Sequence, residues 1–170
     1  RNYSLELLKL ASITTFNRSK RAGAEVVRQK DDAKLGSFLY PLMQSLDIPH
    51  LNADIAFGGI DQRGIYMLSR EILPQLGYKK PACVFNPLLP GLTGDKMSAS
   101  DEKSKIDVLD GQKQIIKKIN KSYCPIGEVN DNGIISIVEY VIFPYLEIKG
   151  DKFIIYRPEK FGGEIIYEDY

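Results

Sequence analysis

Tyr40, Gln44 and Asp47 stand at i, i+4 and i+7, a spacing that on a helix puts a phenol, an amide and a carboxylate on one face. Leu42, Met43, Leu46 and Ile48 lie around them. Polar groups in that apolar setting must be satisfied by protein or by a ligand, unless the face is simply solvated. A second group is Gly58-Gly59-Ile60-Asp61-Gln62-Arg63. Paired glycines at a strand-to-helix turn let the backbone approach a ligand closely, and the helix start beyond them offers N–H groups to an anion. Gln62 reaches a ligand amine or hydroxyl from that first turn. The plainer reading is a tight turn with Asp61 as its capping residue. The third group is the hydroxyl-rich run from Thr93 to Glu102, which follows a proline- and glycine-rich segment starting at Asn86. Lys96 on a mobile loop brings positive charge to a polyphosphate as a transition state develops, and Ser98 and Ser100 donate to phosphate oxygens. A surface loop without a chemical role has the same composition.

The elements that hold these groups read as α/β. Helical periodicity covers residues 3–29, with Leu5, Leu8 and Ile13 on one face and Arg18, Lys20, Arg21 and Arg28 on others. A second helix runs from Lys34 to about Asp47, with Pro41 in a first turn or at a kink. Asn52 to Phe57 reads as a buried strand ended by Gly58-Gly59, then a helix from Asp61 to Leu73, then a strand from Pro81 to Phe85. Strand, turn, helix, strand is a βαβ unit of a parallel sheet, whose ligands bind at the carboxyl ends of the strands. The Gly58-Gly59 turn and the Asn86–Ser100 loop both fall at such ends. After Lys105 the character changes. Gln112 to Tyr123 reads as a basic amphipathic helix with Ile115, Ile116 and Ile119 inward and Lys113, Lys117, Lys118 and Lys121 mostly outward. Ile134 to Tyr145 reads as an apolar helix, and Lys152–Ile155 and Glu164–Tyr167 as short strands joined by a turn at Phe161-Gly162-Gly163. The expected division is 1–105 and 106–170.

Composition bounds the partners. With 170 residues and a net charge of +1 there is no bulk attraction to nucleic acid or membrane, so an RNA contact needs a local patch. Cys83 and Cys124 have no metal-ligand spacing and read as reduced thiols. The single histidine, His50, follows Pro49 and reads as structural, and one histidine excludes mechanisms that draw two from this chain. No apolar run approaches a membrane span. The first residue is arginine, which suggests a piece of a longer chain.

Taken together and in order, Tyr40-Pro-Leu-Met-Gln44-Ser-Leu-Asp47, Phe57-Gly-Gly-Ile-Asp-Gln-Arg63, Asn86-Pro-Leu-Leu-Pro-Gly-Leu-Thr-Gly-Asp-Lys-Met-Ser-Ala-Ser100, Ser104-Lys-Ile-Asp107 and Arg157-Pro-Glu-Lys-Phe-Gly-Gly163 resemble the class I aminoacyl-tRNA synthetases. In detail the set is similar to tyrosyl-tRNA synthetases of the eukaryotic cytoplasmic and archaeal type. The resemblance implies the second half of a Rossmann-like catalytic domain with a parallel sheet over 1–105. The start of a mainly helical anticodon-binding domain would follow over 106–170. It implies activation of L-tyrosine by ATP, with Mg2+, to tyrosyl-adenylate, then transfer to tRNA(Tyr), in a cytoplasmic homodimer. By the same resemblance Asp47 accepts a hydrogen bond from the substrate phenol, and Tyr40, Gln44 and Gln62 surround the substrate amino group. Gly59, Asp61, Lys96, Met97 and Ser98 would meet ATP, with Lys96, Ser98 and Ser100 catalytic, and Phe161 would stack on an anticodon base. Asp47 with Tyr40 suits a phenol better than an indole.

The chain departs from the familiar lysine loop at Ala99, where many class I enzymes carry a second lysine; relatives of this type often have a small residue there. It also lacks the His-x-Gly-His motif that binds ATP in the family. The expectation is therefore a catalytically incomplete portion of a longer or split enzyme. The alternative is a non-catalytic synthetase-like paralogue or fragment that binds RNA or protein.

Overall fold

The computed structural model describes residues 2–26, 33–94, 97–98 and 100–170. It divides into two compact units, Arg1–Leu88 and Leu89–Tyr170. This division by compactness falls earlier than the functional boundary expected near residue 106.

The first unit opens with α1 (Tyr3–Ile13) and α2 (Phe16–Ala22) in place of the single helix expected over 3–29. The break is at Thr14 and Thr15, both extended. The Thr15 hydroxyl accepts from the Arg18 N–H at 3.4 Å and so starts a new helix where a helix-interior residue would have continued the old one. The end of the expected helix, 27–29, lies outside the described residues.

Helix α3 (Gly36–His50) contains both Pro41 and Pro49. Next come β1 (Ile55–Gly59), α4 (Arg63–Ile72) and β2 (Ala82–Asn86). The two strands pair in parallel from Ile55↔Ala82 to Gly59↔Asn86, so their carboxyl ends lie together. β1 starts later than expected because Asn52 has φ 53°, a left-handed conformation that ends α3 and cannot begin a strand. Asp61 does not cap α4. It lies inside a 3-10 turn (Ile60–Gln62) that runs directly into the helix, with Gln62 at the cap position.

Leu10, Ala22, Leu42, Leu46, Leu68, Ile72 and Leu73 form the core that joins α1, α2, α3 and α4. Within it, buried Ser45 donates to Pro41 O at 2.7 Å, and buried Ser69 lies 2.8 Å from both Ser45 Oγ and Ile65 O. Each hydroxyl is bonded back to its own helix, so two small polar residues can be buried at the α3–α4 contact without an unsatisfied group. This contact fixes the face of α3 that carries Tyr40, Gln44 and Asp47.

In the second unit, α5 (Gln112–Ile119) is capped by Gln114, whose Oε1 accepts from the Gly111 N–H at 2.9 Å. Only Ile115 of its three isoleucines is half-buried; Ile116 and Ile119 are exposed, against the expectation that all three point inward. Buried Asn132 starts α6 (Gly133–Ile137) by accepting from Ile134 N and Ile135 N, while its amide donates to Glu128 O at 2.9 Å. α6 passes through a π-helical turn (Val138–Ile142) into α7 (Phe143–Lys149). β3 (Phe153–Ile155) and β4 (Ile165–Tyr167) pair antiparallel. Phe143, Phe153, Tyr167 and Tyr170 make a ring cluster between α7 and this hairpin.

Candidate functional site

The spacing along α3 brings out Tyr40 and Asp47 as exposed side chains and Gln44 as a half-buried one. Gln44 does not stand alone. Its Nε2 donates to Gln62 Oε1 at 3.0 Å, and Gln62 Nε2 donates to Asp61 Oδ2 at 3.1 Å. The direction of this chain is forced. A carboxylate oxygen only accepts, so Gln62 must turn its NH2 to Asp61 and its carbonyl to Gln44. Gln44 must then answer with its own NH2, which leaves Gln44 Oε1 over. That oxygen is buried and has no hydrogen-bond partner among the described residues. A buried acceptor left unpaired costs about 1–3 kcal/mol, and a donor could recover that cost only after the Gln44 side chain turns outward.

The paired glycines make room for this chain. A Cβ on Gly59 would stand 2.5 Å from Asp61 Oδ1 and 3.0 Å from Leu88 Cδ2. One on Gly58 would stand 3.2 Å from Gln62 Cγ and from the Tyr66 ring. Gly59 has φ −65° and ψ 159°, open to any residue, so the requirement is for space and not for backbone freedom. The glycines expected to admit a ligand thus admit the Asp61 and Gln62 side chains at the strand end.

Asp47 has a partner that the sequence did not reveal. The Tyr3 hydroxyl lies 2.9 Å from Asp47 Oδ1 and 2.9 Å from Met43 O. Burial, and then the hydrogen bond and negative charge of Asp47, push the Tyr3 phenol up to about 12. It is therefore a neutral donor at any physiological pH. The Tyr3 ring meets His50 edge-on at 4.9 Å, and His50 Nε2 lies 2.8 Å from Glu6 Oε2. Glu6 Oε2 also accepts from the Tyr78 hydroxyl at 2.6 Å. His50 thus sits in a structural bracket between α1 and α3, in line with its expected role.

The loop residues and Phe161 belong to the second unit. Lys96 lies outside the described residues, as do Asp95 and Ala99. Met97 and Ser98 are half-buried, Ser100 is exposed, and the Ser98 and Ser100 hydroxyls are 2.9 Å apart. The organiser of this stretch is Ser104, which is buried. Its Oγ accepts from Ser98 N at 3.1 Å and lies 2.8 Å from Asp101 O and 3.2 Å from Ser98 O. Its carbonyl accepts from Leu92 N at 2.9 Å. A serine among other loop hydroxyls carries no sequence signal for such a post.

Phe161 ends a 3-10 turn (Glu159–Phe161) and keeps 61% of its surface exposed, with Lys160 Nζ 4.9 Å from its ring centre. An exposed ring is what stacking on a base requires. On α5, Lys118 is half-buried and pairs with Asp110, whose carboxyl it holds below its usual range, while Lys113, Lys117 and Lys121 are exposed. Among the described residues no cluster of three or more His, Cys, Asp or Glu side chains could hold a metal ion.

Residues 2–169 match the profile of the family described as "tRNA synthetases class I (W and Y)". The chain belongs to that family. Within it the chain is 52% identical over 168 residues to a tyrosine–tRNA ligase of Haloarcula marismortui, covering 99% of this chain and 49% of the relative. It is 49% identical to a cytoplasmic tyrosine–tRNA ligase of Saccharomyces cerevisiae, covering 99% of this chain and 44% of the relative. A solved tyrosyl-tRNA synthetase from Archaeoglobus fulgidus, complexed with L-tyrosine, superposes with a TM-score of 0.82 at 47% identity, over 99% of this chain and 51% of that one. The chain spans about half the length of the curated relatives it matches. Its α/β architecture with a parallel strand pair is that of the class I synthetases. Among the described residues no helix is long and apolar enough to cross a membrane.

Proposed function

We propose that this chain is the tyrosine-recognising and lysine-loop portion of a tyrosine–tRNA ligase, a longer or split enzyme that activates L-tyrosine with ATP and transfers it to tRNA(Tyr). The observation that carries this reading is the oriented chain from Asp61 through Gln62 to Gln44, set beside the exposed Tyr40 and Asp47 of the same helix face. An amino acid offers an ammonium to amide and phenol oxygens of this kind. A tyrosine also offers a phenolic O–H to Asp47, which no phenylalanine can match.

In this reading Tyr40, Gln44 and Gln62 enclose the amino group, and Gly59 and Asp61 form the turn next to ATP. Lys96, with Met97, Ser98 and Ser100, closes on the phosphates. Lys96 then stabilises the negative charge that builds on the departing pyrophosphate. Mg2+ would enter with the phosphates of ATP, since the described residues offer it no cage of their own. Residues 1–105 would complete the catalytic domain and residues 106–170 would begin the anticodon-reading part, with Phe161 as the base-stacking ring. The cytoplasm and a homodimer are the expected setting.

The test is tyrosine-dependent ATP–pyrophosphate exchange by the full-length protein, with phenylalanine as control. Exchange with tyrosine alone is the expected result. A folded full-length protein that binds tRNA or protein but shows no exchange would replace this reading with that of a non-catalytic binding module.

A further inference from the structure

We infer that Tyr3 is a specificity-determining positioning residue, which holds one oxygen of Asp47 so that the other is presented to the substrate phenol. The inference rests on the tyrosine-pocket reading above. Its basis is the double contact of the Tyr3 hydroxyl, 2.9 Å from Asp47 Oδ1 and 2.9 Å from Met43 O. Met43 is four residues before Asp47, so its carbonyl marks the helix backbone directly beneath that side chain. The hydroxyl has one proton to share between these two acceptors, and the charged carboxylate is the stronger of them, so the bond to Oδ1 restrains the rotation of the Asp47 side chain. Among the described residues Oδ2 has no hydrogen-bond partner, and it is the oxygen left for a ligand.

The holding group is itself held. The Tyr3 ring packs edge-on against His50 at 4.9 Å, His50 is fixed by Glu6 at 2.8 Å, and Glu6 is also bonded by Tyr78 at 2.6 Å. Three separate parts of the first unit therefore set the position of one hydroxyl. Rigid support of this kind is what an acceptor needs if it is to discriminate by geometry. The high pKa of the phenol keeps the donor proton in place. Phenylalanine makes no use of Asp47 Oδ2, so the support matters for tyrosine only.

The experiment uses the full-length enzyme, its Tyr3→Phe, Asp47→Asn and double variants, and Asp47→Ala, with exchange kinetics for tyrosine and phenylalanine. Tyr3→Phe keeps the ring and its contact with His50. It should raise the tyrosine KM by about tenfold, the size of one lost charge-assisted hydrogen bond, and change kcat by less than about twofold. The phenylalanine kcat/KM should stay put, so the selectivity ratio falls by the same factor. On the Asp47→Asn background the same change should have no further effect on the ratio. Equal losses for both substrates would make Tyr3 merely structural and overturn the inference. So would an unchanged tyrosine KM in Tyr3→Phe beside lost selectivity in Asp47→Asn. Asparagine still offers the phenol a carbonyl or an NH2, so it is wild-type selectivity in Asp47→Ala that would instead overturn the pocket reading itself. If Tyr3→Phe is unstable at the assay temperature, both amino acids are titrated calorimetrically at a temperature where circular dichroism shows it folded. The ratio of the two dissociation constants then carries the same outcomes.

Discussion

Gly59→Ala tests whether the Asp61–Gln62–Gln44 chain matters for tyrosine. The backbone at Gly59, φ −65° and ψ 159°, accepts alanine without strain, so the whole effect comes from the added methyl. That methyl would lie 2.5 Å from Asp61 Oδ1, well inside van der Waals contact, and 3.0 Å from Leu88 Cδ2. The carboxylate must retreat by roughly 0.5–1 Å. Its other oxygen, Oδ2, is the acceptor for Gln62 Nε2 at 3.1 Å. A retreat of that size stretches this bond past a useful length. A hydrogen bond to a charged group is worth about 1.5–3 kcal/mol, and Asp61 is only half-buried, so the lower end applies. That corresponds to about a tenfold higher KM for tyrosine in pyrophosphate exchange by the full-length enzyme. Once Gln62 is released, Gln44 loses its enforced orientation as well. The double variant Gly59→Ala, Asp61→Ala has no carboxylate to displace and should be no worse than Asp61→Ala alone. An unchanged tyrosine KM in a folded Gly59→Ala protein would refute the chain as the organiser of the pocket. A double variant clearly worse than Asp61→Ala would show that the methyl acts elsewhere, with Leu88 the first suspect.

The other predictions bear on the loop, Phe161 and the Tyr3 hydroxyl. Lys96→Ala should slow adenylate formation in single turnover far more than it weakens tyrosine binding by titration, and equal effects on both would contradict a transition-state role. Ser104→Ala strips Ser98 N–H of its acceptor beneath the lysine loop; it should lower kcat of exchange about tenfold at an unaltered tyrosine KM, and a wild-type kcat would dismiss Ser104 as the loop's anchor. Phe161→Ala should weaken tRNA in the charging assay by about 1–3 kcal/mol, with pyrophosphate exchange untouched. Tyr3 has its phenol raised from 10.0 to about 12 in the folded chain. The stability this contributes is complete below about pH 10, where the unfolded chain is also protonated, and is lost as pH rises through about 12. The difference in unfolding free energy between wild type and Tyr3→Phe should narrow across that window in denaturant titrations, and a constant difference would contradict the Tyr3–Asp47 bond.

Local period was the legible part of this chain. Tyr40, Gln44 and Asp47 share a face because 3.6 residues per turn puts them there, and the helix that carries them is present over Gly36–His50. The parallel strands were legible for a similar reason, as short apolar runs bounded by glycine and proline. Contacts without a local signature were not legible. Tyr3 and Asp47 are 44 residues apart, and nothing about a tyrosine near the start of an amphipathic helix says which carboxylate it will meet. Competing local chemistry explains other differences. Thr15 caps a helix of its own and so splits a run whose periodicity looked continuous. A 3-10 turn inserted before α4 takes Asp61 out of the cap position and frees its carboxylate for Gln62. Ile116 and Ile119 show that an apolar face can be read from sequence while its burial cannot.

The orientation of the Asp61–Gln62–Gln44 chain has a chemical consequence beyond geometry. Each amide in it donates toward the carboxylate and turns its carbonyl away, so the dipoles of Gln62 and Gln44 point the same way. Amide chains aligned in this manner polarise one another, and the carbonyl at the far end becomes a stronger acceptor than an isolated amide. The charge of Asp61 is thus expressed at Gln44 Oε1 as partial negative charge without a second carboxylate there. In the proposed reading, once Gln44 turns outward, such an end would favour the ammonium of a zwitterionic amino acid over its carboxylate. A carboxylate in place of Gln44 would bind an ammonium more strongly, but would face Gln62 Oε1 acceptor to acceptor and undo the chain. Two neutral amides backed by one charge satisfy both demands. In the proposed reading this is why glutamine stands at both Gln44 and Gln62, while the glycine at Gly59 leaves space for the Asp61 carboxylate behind them.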